Sequence, residues 1–133
     1  MVGCATIPQA PSGNYQERIL QATFRETYDG VIKSFQDAGF HIKTQDLKSG
    51  IIETDWKPES SLLAGLLIGK LQSRIWITMT RMDDSHTRVH ADIMVEKQSG
   101  EGKWGKADLV REKDYVQLLE GIQENIVNLQ KLK

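Results

Sequence analysis

The residues able to do chemistry are few, and their spacing works against it. His86 and His90 lie four apart in a stretch whose apolar alternation, Thr87, Val89, Ala91, Ile93 and Val95, is that of a strand. Four strand residues span ~13 Å, so the two imidazoles cannot share one metal ion as they could one turn apart on a helix. His90 and Asp92 do share a strand face, but two ligands without a third make a solvent-facing polar pair rather than a metal site. His41 stands alone and reads as an exposed strand residue. Gly100-Glu101-Gly102-Lys103-Trp104-Gly105 matches the GxGxxG pattern literally. A phosphate cradle of that kind needs a strand before it, a helix opening directly after it and a parallel βαβ frame. The next helical pattern begins too late and Glu101 would face the phosphate, so a flexible loop is expected. Asp83 and Asp84 are adjacent and lack the alternating oxygen ligands of a calcium loop. Nowhere do a nucleophile, a base and an orienting partner stand together, so no enzyme, no metal and no cofactor are predicted.

Cys4 is the exception. It is the one cysteine of the chain, which excludes an intramolecular disulfide, and it heads a segment holding two of the three prolines, Ala5-Thr6-Ile7-Pro8-Gln9-Ala10-Pro11-Ser12-Gly13-Asn14. Without periodic apolar residues this segment has nothing to pack with, so residues 1–14 read as a flexible tether. Val2-Gly3-Cys4 is similar to the end of a bacterial lipobox, in which small residues precede a cysteine that is acylated and becomes the new N-terminus. Acyl chains contribute ~0.8 kcal/mol per buried methylene, and two of them hold a protein on a bilayer. The ten residues after Cys4 reach at most ~35 Å, which keeps the domain close to that bilayer. Ala5 at the position after the cysteine fits sorting to the outer membrane, with the domain on the periplasmic side.

The elements that must position everything else follow from periodicity. Phe24, Tyr28, Val31, Phe35 and Ala38 recur at steps of four and three, with Thr23 and Glu26 spaced for a capping box and Gly39-Phe40 as a stop, which predicts a helix over 23–38. Phe40–Thr44 and Ile51–Trp56 read as a hairpin turning at Asp46–Gly50, and Ser73–Arg81 and Thr87–Val95 as two long strands turning at Asp83-Asp84-Ser85. Tyr115, Leu118, Leu119, Ile122, Ile126 and Leu129 mark a closing helix capped by Asp114 and Gln117. Gly121 inside that helix costs about 1 kcal/mol against alanine and implies a close approach to the sheet. The order α-β-β-β-β-α has no βαβ rhythm, so the expected fold is α+β: a four-stranded antiparallel sheet with both helices on one face, in a single domain over 15–133.

Composition agrees with one soluble domain and excludes other classes. The chain has 133 residues, 17 basic against 18 acidic, 39% apolar and 26% charged. A formal charge of −1 argues against nucleic-acid binding, which rests on a clustered positive excess. No stretch reaches the ~18 apolar residues of a membrane span.

Two features point to recognition instead. An apolar insertion over 57–72 places Leu62, Leu63, Leu66, Leu67 and Leu71 on one helical face, with Gly65 and Gly69 as a small-residue pair. It is too short to cross a membrane and must be covered by the domain's own sheet, a partner, a second copy or the lipid surface. On the long strands, the face opposite Ile75, Ile77 and Met79 carries Trp76, Thr78 and Thr80, and its neighbour offers Arg88, His90, Asp92 and Met94. With both helices on the other side this face is open, and Trp, Met and Arg are the composition of an interface centre. The partner-binding candidates are therefore Leu62, Leu63, Leu66, Leu67, Trp76, Arg88 and Met94. Trp56 joins that face or the core according to which of Ile51 and Ile52 points inward.

A helix ending in Phe35-Gln36-Asp37-Ala38-Gly39-Phe40, then a strand, Gly50-Ile51-Ile52-Glu53-Thr54, two long strands and a closing helix resemble, over roughly residues 20–130, the BamC-like bacterial lipoproteins. The resemblance implies a helix-grip domain tethered to the outer membrane, in a family whose best-known member assists the machinery that inserts β-barrel proteins. It supplies no catalytic residues. The chain departs from that member in having one domain rather than two and a shorter N-terminal segment. The expected function is a lipid-anchored periplasmic binding or accessory module in envelope assembly or maintenance, with an envelope protein as partner. The alternative is a carrier of a small apolar ligand or lipid.

Overall fold

The computed structural model describes residues 14–59 and 70–132. Cys4, the tether as far as residue 13 and four of the insertion's leucines (Leu62, Leu63, Leu66 and Leu67) lie outside the described residues.

Helix α1 (Phe24–Asp37) has the ends its sequence predicts. Thr23 Oγ1 accepts the Glu26 N–H at 3.0 Å and the Glu26 carboxylate accepts the Thr23 N–H at 2.9 Å, a reciprocal cap. At the other end Gly39 adopts a left-handed φ of 84°, the Gly39 N–H donates to Gln36 and the Phe40 N–H to Phe35. The Phe35 and Phe40 rings then lie 6.0 Å apart, closing the stop with an apolar contact. Helix α2 (Glu112–Lys131) begins earlier than expected, because Asp114 is its third residue and reaches back 2.8 Å to the Arg111 N–H instead of capping the helix itself. The close approach lies elsewhere too. A side chain on Gly121 would meet open space, whereas one on Gly30 of α1 would run into Ile126 of α2. Beside that contact the Asn125 amide donates to Ser34 Oγ at 2.7 Å, joining the helices.

The sheet is antiparallel with seven strands, not four: β1 (Glu17–Leu20), β2 (Ile42–Asp46), β3 (Ile51–Thr54), β4 (Lys57–Glu59), β5 (Leu71–Asp83), β6 (His86–Gln98) and β7 (Trp104–Lys106). Its main path runs β1-β6-β5-β3-β2, with β4 also on β5 and β7 also on β6. The three additional strands have three or four residues each, too few for an alternating pattern to show, and exist because β5 and β6 extend past their neighbours and offer free backbone groups. Lys57–Glu59 and Leu71-Gln72, expected inside the apolar insertion, are thereby strand residues, and Leu71 is buried at the start of β5 rather than on a helical face. Trp104–Lys106, expected as loop, pairs with Glu96–Gln98. His41 is exposed as expected but lies just before β2 rather than in a strand.

Both helices pack on one face. Ile52, Ile75, Ile77, Met79, Val89 and Ala91 meet Val31, Phe35, Leu119, Ile122 and Ile126 in a single core. Ile52 points inward, which puts Ile51 on the opposite face. On its outer edge β6 pairs with β1 over 87–90 and with β7 over 96–98. In the gap between them the Ala91 N–H donates to the Gln16 carbonyl at 2.9 Å and the Ile93 N–H to the Tyr115 hydroxyl at 3.1 Å. Tyr115 is only 8% exposed and stacks at a tilt on Tyr15. Burial raises its pKa above the ordinary value of 10.0.

Phe35→Ala should cost about 3–5 kcal/mol in chemical denaturation, and Arg88→Ala on the opposite face less than about 0.5. Equal, small shifts would contradict this packing. Tyr115→Phe leaves the Ile93 N–H without its partner and should cost about 1–3 kcal/mol at neutral pH. Because the folded pKa of Tyr115 is raised, the stability tied to its neutral hydroxyl is fully present below pH 10.0 and is lost as pH rises through the folded value. The gap in urea midpoint between parent and variant should therefore narrow above that pH.

Candidate functional site

The face of the sheet turned away from the helices is built by the β5–β6 register. Pairing Thr80 with Arg88, Thr78 with His90, Trp76 with Asp92, Arg74 with Met94 and Gln72 with Glu96 places all ten side chains on one surface. The expected candidates Trp76, Arg88 and Met94 thus share a face, and each is half-buried among its neighbours. Strand β1 adds Glu17 and Ile19, and β3 adds Ile51 and Glu53.

Two polar groups organise this surface. Arg74 Nη1 lies 3.3 Å from the buried carboxylate of Glu53, and its guanidinium sits 5.0 Å from the centre of the Trp56 ring. Its Nε is shielded from water and has no hydrogen-bond partner among the described residues. Nearer the edge, His90 stands between two carboxylates, Nδ1 at 3.1 Å from Glu17 and Nε2 at 3.5 Å from Asp92, and Gln16 donates to Asp92 at 3.0 Å. This chain of contacts ties β1 to β6. With a carboxylate on each imidazole nitrogen, His90 is held as a link between strands.

Between these groups the face sinks into a cleft of about 620 Å³, floored by Met94 and walled by Trp56 and Arg74 on one side and by Tyr15, Gln16 and Lys106 on the other. Sequence reasoning reached Trp76, Arg88 and Met94 but passed over Arg74, although alternation puts it on the Trp76 face. Glu53 needed the β3 register, Glu17 opens a strand too short to recognise, and Tyr15 and Gln16 lie in the turn just before it. A second, more apolar cleft of about 510 Å³ opens on the helix side, lined chiefly by Phe40, Leu71, Ile75, Ile93, Val95 and Leu118.

Another grouping looks chemical and is not. Asp83, Ser85 and His86 lie within hydrogen-bond reach, but both Asp83 (2.9 Å) and Ser85 Oγ (3.1 Å) contact the same ring nitrogen, Nδ1. A nucleophile–base–acid relay needs the two on opposite nitrogens. The trio instead shapes the β5–β6 turn, where the Ser85 N–H donates to Asp83 at 2.8 Å. The hydrogen bond from His86, followed by those from Ser85, holds the Asp83 carboxyl below the ordinary carboxylate value. Among the described residues no three His, Cys, Asp or Glu side chains are placed to hold a metal ion, and no helix is long and apolar enough to cross a membrane.

No family model and no curated protein matches the chain. Among solved structures it is similar to the crystal structure of a DUF4468 family protein from Bacteroides ovatus, at 14% identity over 92% of this chain and 85% of that one, with a TM-score of 0.39.

Proposed function

We propose that this protein is a non-enzymatic binding module, held at the periplasmic side of the outer membrane through acylated Cys4, that receives an envelope protein on the outer face of its sheet. The observation that carries the reading is the face that none of the described elements covers. A cleft with an Arg–Trp stack, a methionine floor and a polar rim has the anatomy of an interface centre, where aromatic and arginine anchors supply most of the affinity. The lipobox-like Val2-Gly3-Cys4 and the tether after it support the membrane location. An accessory role in envelope assembly or maintenance follows from the resemblance to BamC-like lipoproteins.

A second reading, the carrier of a small apolar ligand or lipid, is favoured by the helix-side cleft bounded by Phe40, Leu71 and Leu118.

In cells making the acylated protein, Cys4→Ser should move it from the membrane to the soluble periplasmic fraction while its melting temperature stays put, and membrane retention would contradict anchoring. Met94→Asp and Trp76→Ala should weaken recovery of the same envelope partner by roughly tenfold or more, as hot-spot truncation does, with the fold intact by circular dichroism. Undiminished recovery would remove the outer face from consideration. If instead a fluorescent fatty-acid probe binds and Leu118→Trp expels it, the carrier reading takes its place.

A further inference from the structure

The tip of the β6–β7 hairpin, Gln98 to Gly105, lines neither the core nor the outer-face cleft, yet it is closely hydrogen-bonded. Ser99 fixes its tip: its N–H donates to Lys103 at 2.7 Å, its carbonyl accepts the Gly102 N–H at 2.9 Å, and its hydroxyl accepts the N–H groups of Glu101 and Lys103. The Gln98 side chain closes the loop by donating to Gly102 at 3.1 Å. On this hydrogen-bonded frame every residue from Ser99 to Lys106 is exposed. Trp104 is 39% exposed, on a strand with no further strand beside it among the described residues, and Lys103 and Lys106 lie one and two residues from it in the chain. Lys97 lies across the ladder from Gly105, and the Gln98 N–H donates to Lys70 at 2.9 Å, bringing a fourth exposed lysine to the same end of the sheet. Two carboxylates accompany them. Glu96 is engaged by the Gln72 amide at 2.8 Å, and Glu101 is exposed at the tip.

An exposed tryptophan at an end of the sheet that carries four exposed lysines, Lys106 on its own face of the ladder and Lys97 on the other, is a local feature of a chain whose overall charge is −1. Indole rings settle at the level of lipid headgroups, and lysines beside them are attracted to anionic phosphates while their methylene stems lie along the apolar boundary. We propose that this hairpin is a membrane-surface contact: Trp104 enters the interface of a phospholipid bilayer and Lys70, Lys97, Lys103 and Lys106 engage anionic headgroups. It acts independently of acylation. Where the acyl group fixes distance, the hairpin fixes orientation, because one end of the sheet then rests on the bilayer and the outer face stands beside it.

The test uses the full chain carrying Cys4→Ser, so that its failure and the failure of the acyl anchor are separate results. Co-sedimentation with vesicles of phosphatidylglycerol and phosphatidylethanolamine should show binding that falls with added salt and is absent from pure phosphatidylcholine. Lys103→Glu with Lys106→Glu should weaken it at least roughly tenfold and Trp104→Ala several-fold, with unchanged melting temperatures because these side chains are exposed. Equal binding to neutral vesicles, no binding to anionic ones, or binding indifferent to the three substitutions overturns the proposal. So does loss of binding in Leu66→Asp alone, which would assign the membrane contact to the β4–β5 connection. Stronger retention by a polyanionic protein or nucleic acid than by the anionic vesicles overturns it as well.

Discussion

The twelve-pair register between β5 and β6 is the constraint on which the rest of the molecule depends. A slip of one residue would carry Ile75, Ile77, Met79, Val89 and Ala91 to the outer face and bring Arg74, Trp76, His90 and Asp92 beneath the helices, and neither set tolerates the exchange. The two-residue turn at Asp84-Ser85, held by Asp83, sets the register locally, and burial of the five apolar residues enforces it along the full length. Every other strand of the main path is attached to this hairpin or to a strand that is. The helix layer depends on it as well, because its floor is the face the register selects.

Length is the second consequence. Strands of thirteen residues extend beyond partners of four or five, and the surplus backbone recruits whatever short segment passes by. On one side Lys57–Glu59 pairs with the start of β5, and on the other Glu17–Leu20 and Trp104–Lys106 share the edge of β6 without filling it. The unfilled stretch exposes a backbone donor at Ile93, and the α2 tyrosine supplies the missing partner. The outer-face cleft sits against this gap, so one mismatch in strand length produces both a structural repair and a recess.

The two faces of the hairpin differ in what they hold. The helix side is filled, apart from a cleft at one end, and sealed by the Gly30–Ile126 approach, which leaves no room for a side chain between α1 and α2. The outer side holds polar groups that contact one another, Arg74 with Glu53 and His90 with Glu17 and Asp92, around aromatic and thioether surface. The Arg74–Glu53 pair need not be desolvated as two isolated ions when that face is covered.

The sequence by itself determined the elements whose signals are local and repeated. Thr23–Glu26 and Gly39–Phe40 bound the first helix because caps are made of neighbouring residues, and the alternation in Ile75–Met79 and Thr87–Val95 declares both strands and their buried face. It also placed Trp76, Arg88 and Met94 together, since residues two apart in a strand share a side. Tertiary structure alone decided the rest, for one physical reason: those features depend on partners distant in the chain. Three short strands owe their pairing to the surplus length of β5 and β6, and Glu53 meets Arg74 only once β3 is in register. The tight glycine is Gly30 rather than Gly121 because helix crossing, not composition, selects it. Trp104 and Lys106 are loop residues by composition, and only their pairing with Gln98 and Glu96 places them on a sheet edge.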